Sequence, residues 1–144
     1  PSTEIVQIVN DEGKVEVAES QLTALLEANQ DIDGIFASHG NPGPGAAAAV
    51  RTTGLQGKVQ IMGFDFGLPV IELIEKGEIK ATVGQNPYLM GYTAMLVAYG
   101  AANSTEVTST NPSGIGHSVN SDIDTGVSIL YVDDIEMFKT PPSF

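Results

Sequence analysis

The 144-residue sequence contains no cysteine, which excludes disulfides, cysteine-zinc sites and cysteine nucleophiles and suits an extracytoplasmic bacterial protein. Positive charge is scarce as well. Six Lys and Arg stand against 18 Asp and Glu, for a formal net charge of −12 at pH 7. A chain this acidic repels phosphate backbones, and Lys14, Arg51, Lys58, Lys76, Lys80 and Lys139 are scattered without a basic patch, which argues against a nucleic-acid partner, and none is expected. No apolar run is long enough to span a bilayer, so no membrane insertion is expected. The opening PSTEIVQIVN has neither a basic start nor an initiating Met, so it is not a signal peptide. The sequence therefore reads as a processed product or a piece of something longer. Catalytic signatures are missing too. There is no G-x-S-x-G, no H-E-x-x-H and no other metal-ligand spacing, and histidine occurs only at 39 and 117. No enzyme activity, metal or cofactor is expected.

What is present is a repeated alternation. Hydrophobic residues make up 42% of the chain, enough for one domain with a sizeable core. The stretches 4–10, 32–38, 58–64, 79–85 and 125–132 read as strands, rich in Val, Ile and Phe. Between them, 14–29 has Val15, Ala18, Leu22, Leu25 and Leu26 on one face of a 3.6-residue period. Residues 43–54 and 68–77 also read as helices, each with proline near its start and glycine at its end. The pattern predicts an α/β fold, doubly wound, with a mostly parallel sheet and helices on both faces. Beyond residue 85 the pattern changes. Residues 86–103 form one longer helix that is apolar around much of its circumference, 104–124 are polar and loop-like, and the tail KTPPSF is expected to be disordered. The divisions are an α/β lobe over 4–85, a helix and loop over 86–124, a final strand and segment over 125–136, and a tail over 137–144.

In an open parallel sheet, ligands lie beyond the carboxyl ends of the strands. Polar residues collect at those ends. Asn10 and Asp11 follow the first predicted strand, Ser38, His39 and Asn41 the second, Asp65 the third and Gln85 the fourth. Carboxylate, amide and imidazole groups on one edge suit a ligand rich in hydroxyls, since each can hold neighbouring groups. Other readings stand beside this one. Asp65 ahead of FGLP is a natural helix cap, Gln85 and Asn86 ahead of Pro87 fit a turn, and His39 fits a solvated loop. GNPGPG (40–45) has the wrong glycine order for a phosphate cradle, and Pro42 and Pro44 remove amide donors.

The run DIDGIFASHGNPGPGAAAAVRTTGLQGKVQIMGFD, followed by IEKGEIKATVGQNPYLMGYTAM and the closing IDTGVSILYVDD, resembles the C-terminal half of ribose-type periplasmic sugar-binding proteins. These are the type 1 solute receptors of ABC importers, and the resemblance runs from about residue 4 to residue 136. It implies that Asp65, in GFD, and Gln85, in ATVGQ, hydrogen-bond sugar hydroxyls. His39 and Gly40 stand where family members often carry Asn-Asp, and Glu12, Gly13 and Lys14 occupy the region that often supplies a stacking aromatic. With Asp11, His39 and Asn41 added from the strand-end argument, the expected ligand set is Asp65, Gln85, His39, Asn41 and Asp11. The resemblance further implies a small sugar or related polyol as ligand, an ABC permease as partner of the intact receptor, and a periplasmic or extracytoplasmic location with a signal peptide upstream. It also implies that the N-terminal lobe is missing and that the C-terminal lobe begins one β-α unit late. The helix after Gln85 would then lack its native cover, favouring either the absent lobe or self-association as a dimer. The runner-up is the effector domain of a LacI-type repressor or of a sugar sensor, which shares the fold.

Overall fold

A computed structural model describes residues 3–103 and 123–136. Its helices are α1 (Val15–Ala28), α2 (Pro42–Thr52), α3 (Leu68–Glu75) and α4 (Pro87–Ala102), and its strands are β1 (Gly34–Phe36), β2 (Gln60–Phe64), β3 (Ala81–Gln85) and β4 (Val127–Tyr131). The strands form one sheet in the order β1-β2-β3-β4. The pairs β1/β2 and β2/β3 are parallel, with Ile35 opposite Ile61 and Gly63 opposite Thr82. The expected mostly parallel α/β architecture is therefore present. The chain divides into two compact units. One comprises Pro1–Gly84 with Ile129–Phe144, and the other Gln85–Ser128.

Within the first unit, the apolar face of α1 buries Ala18, Leu22 and Leu26. The alanine run of α2 is buried at Ala46, Ala47 and Ala49, and α3 contributes Val70, Ile71 and Ile74. All of these but Ala18 meet Val59, Ile61, Ile79, Leu130 and Ile135 in one cluster. The opposite face of the strands is less covered. Met62, Phe64 and Val83 are half-buried, and Phe36 is exposed.

Two expectations need correction. The stretch 4–10 forms no strand. Ile5, Val6 and Ile8 are exposed, and only Val9 packs on the core. The physical reason is that a strand exists through its neighbour's hydrogen bonds, which an apolar pattern cannot supply, and among the described residues β1 pairs only with β2. The scattered cations, too, are partly gathered by the fold. Arg51, Lys76 and Lys80 line a cavity of about 280 Å³ at the amino ends of β2 and β3, where Arg51 pairs with Glu78. The expected loop to residue 122 and the tail from residue 137, with His117, lie outside the described residues.

The glycines of GNPGPG serve packing. A Cβ on Gly45 would lie 2.6 Å from the Val15 carbonyl oxygen and 2.7 Å from Ala18 Cβ, so α1 and α2 touch where Gly45 has no side chain. The obstructing atoms include backbone, which cannot rotate aside. Gly45→Ala should therefore destabilise the fold by about 1–3 kcal/mol, the usual cost of overpacking. Urea denaturation followed by far-UV circular dichroism measures this, and an unchanged midpoint would show that the helices part without penalty.

Candidate functional site

The candidate site is built from three loops at the carboxyl edge of the sheet. The first precedes α1. Residues Asp11–Lys14 make a β-turn closed by the Lys14 N–H donating to the Asp11 carbonyl at 2.9 Å. Its central residues, Glu12 and Gly13, both have positive φ, at 52° and 72°. Left-handed residues in succession reverse the chain tightly and feed it into α1. The Asp11 side chain reinforces the turn by accepting from the Gly13 N–H at 3.2 Å.

The second loop follows β1. His39 Nε2 lies 3.1 Å from Asp11 Oδ1. Asn41 Nδ2 donates to the Gly13 carbonyl at 2.7 Å. Asp11 is buried, with Oδ2 shut from solvent and without a hydrogen bond, whereas the His39 side chain remains 42% exposed. Burial pushes the Asp11 carboxyl up, but the hydrogen bonds from His39 and from the Gly13 N–H, with the attraction of His39, outweigh it and hold the group below its ordinary value.

The third loop follows β2 and centres on Asp65, which has φ of 65°. A left-handed, non-glycine backbone costs about 1–2 kcal/mol, less for aspartate than for most residues. The neighbours hold it there. Asp65 N–H donates to the Val83 carbonyl at 2.7 Å, and the buried Thr82 hydroxyl donates to the Asp65 carbonyl at 2.8 Å. The turn aims the carboxylate at the second loop, where a Cβ on Gly40 would sit 3.6 Å from Asp65 Oδ2. Next in sequence, Phe66 packs over Gly84 so closely that a Cβ there would fall 2.0 Å from the ring.

The structure thus gathers Asp11, His39, Asn41 and Asp65 in the first unit. Gln85 is the last residue of β3 and is exposed. The helix-cap reading of Asp65 is overturned: α3 is capped at Gly67, with no side-chain bond. Asn86 does act as a cap, its side chain accepting from the Leu89 N–H at 3.0 Å. His39 is no free loop histidine. Asp11 points inward, where its Oδ1 meets the Gly13 N–H of the turn and the imidazole of His39. Sequence reasoning missed Thr82. Its signal was a lone hydroxyl among the apolar and small residues of ATVG.

The arrangement offers carboxylate, imidazole and amide groups without a nucleophile poised beside a base. Among the described residues no group of three metal-ligating side chains occurs, and no helix is long and apolar enough to cross a membrane. A D-allose-binding periplasmic protein of Escherichia coli (strain K12) is 35% identical over 86 residues, which are 59% of this chain and 27% of that protein. An arabinose-binding protein from Geobacillus stearothermophilus superposes with a TM-score of 0.77 at 27% identity, covering 94% of this chain and 45% of the other. A periplasmic solute-binding protein of an ABC transporter from Actinobacillus succinogenes 130z, solved with bound D-allose, gives 0.73 at 28% identity, covering 93% and 43%. The chain therefore spans less than half the length of these relatives, which are binding proteins rather than enzymes. The family model for the periplasmic binding protein domain matches residues 1–106, and the chain belongs to that family.

Proposed function

We propose that this chain is part of the sugar receptor of an ABC-type importer, carrying the C-terminal half of a two-lobed periplasmic protein. The ligand is a pentose, a hexose or a related polyol. The observation that carries the reading is the convergence of Asp65, His39 and Asn41 at the carboxyl edge of the sheet, in a family whose named relatives bind sugars. Asp65, held in a left-handed turn, offers two carboxylate oxygens to hydroxyls. His39 and Asn41 add a nitrogen and an amide oxygen, and Gln85 at the end of β3 supplies the amide that the family resemblance assigns to the sugar. In the intact receptor, closure of two lobes over the ligand presents the form that a permease recognises. The repressor reading is not favoured, because the relatives named above are transport and periplasmic binding proteins.

Asp65→Ala in the full-length receptor should weaken sugar binding by about 1–3 kcal/mol or more, roughly 5- to 150-fold, with the fold retained. Titration calorimetry with D-allose, arabinose, ribose and D-fucose measures it. A folded variant with unchanged affinity would remove Asp65 from the site.

In the second unit, Tyr88, Tyr92, Met95 and Tyr99 of α4 are more than half exposed, and the rings of Tyr88 and Tyr92 stack with centroids 6.4 Å apart. A helix apolar on all sides needs cover. We assign that cover to the remainder of the receptor, and to a second copy when these 144 residues stand alone. Light scattering at micromolar concentration should then report a dimer for the isolated chain, and a clean monomer would refute the assignment.

A further inference from the structure

His39 differs from the other polar groups of the edge because one of its ring nitrogens is already committed. Nε2 faces Asp11 Oδ1 at 3.1 Å. Asp11 is ionised near neutral pH, because the net pull on its carboxyl is downward. A carboxylate accepts hydrogen bonds and donates none, so Nε2 must carry the proton in this pair. Neutral imidazole has only one N–H, so the second nitrogen, Nδ1, is then a bare acceptor. Nδ1 makes no hydrogen bond among the described residues, and the ring is partly open to solvent. Asp11 is unable to turn away and release the ring. It is buried, Oδ1 also holds the Gly13 N–H, and Oδ2 is enclosed without a partner.

We propose that Asp11 is a positioning residue that locks His39 as the Nε2–H tautomer, making His39 Nδ1 a specificity-determining acceptor for a ligand hydroxyl. This rests on the sugar-binding reading and adds the sense of one hydrogen bond. The nearby groups then favour hydroxyls that donate: the Asp65 carboxylate accepts, Nδ1 accepts, and Asn41, one N–H of which goes to the Gly13 carbonyl, offers Oδ1 beside its second N–H.

The test has two arms. In ligand-free protein labelled with ¹⁵N-histidine there are only two histidines, and a His39→Asn sample identifies the His39 signal. Near pH 7.5 the ring should show the Nε2–H signature, whereas Asp11→Asn, able to donate as well as accept, should yield mixed tautomers. An Nδ1–H ring in the unaltered protein overturns the proposal even if the Asp11 variant fails to fold. In the second arm, affinities for D-allose, arabinose, ribose and D-fucose are measured near pH 7.5 in the full-length receptor and in its His39→Phe and His39→Asn variants. Affinity should fall several-fold, up to about tenfold, in His39→Phe, the worth of one hydrogen bond, and should be partly restored in His39→Asn, whose Oδ1 can accept. An affinity unchanged in His39→Phe overturns the role of His39 and leaves the sugar-binding reading standing. Failure of the unaltered receptor to bind any of the sugars overturns the sugar-binding reading itself, whatever tautomer the ring shows.

Discussion

The contact between α1 and α2 at Gly45 is the constraint on which the candidate site depends. Val15 and Ala18, in the first turn of α1, press against Gly45, in the first turn of α2. Two helices that touch through their first turns bring their entry loops together. That places the Asp11–Lys14 turn beside His39–Asn41, where the His39–Asp11 and Asn41–Gly13 bonds form. Any side chain on Gly45 would wedge the two loops apart from below. The buried alanines of α2 continue the same logic toward the sheet, since small residues let a helix lie close to its neighbours.

The second ordering influence is the parallel register of β2 and β3. It sets Gly63 opposite Thr82, so that the Thr82 hydroxyl reaches the Asp65 carbonyl one turn further on. Thr82 is fully buried, and its hydroxyl would be costly there without an acceptor. The hydrogen bond removes that cost and fixes an unfavourable backbone at the residue that faces the site. A left-handed aspartate held by its neighbours is the kind of strained position found where function sets the geometry. The run of apolar residues in VQIMGFDFG ends in a carboxylate because the strand ends there, at the carboxyl edge of the sheet.

Much of this was legible in the chain. The 3.6-residue spacing in 14–29 gave α1 and its buried face, and proline and glycine punctuation gave the limits of α2 and α3 within a residue or two. Those signals are local, so no partner is needed to read them. The strand-end rule picked out Asp65, His39 and Asn41, because the ends of apolar runs are visible as sequence. The stretch 4–10 carried an equally apolar pattern and formed no strand. Pattern reports what a segment can pair with, and only a neighbour decides whether it does.

The sequence by itself determined the alternation of strands and helices, the parallel sheet they imply, and which polar residues stand at the carboxyl edge. All of these follow from spacing and composition along the chain. Tertiary structure alone decided that Asp11 turns inward to hold His39, that Thr82 braces Asp65, that Gly45 is where two helices touch, and that Arg51, Lys76 and Lys80 share a cavity. The Asp11–His39 pair spans 28 positions and the Thr82–Asp65 pair 17. A hydrogen bond over such a separation depends on the paths of the intervening elements, and no spacing rule in the sequence encodes them.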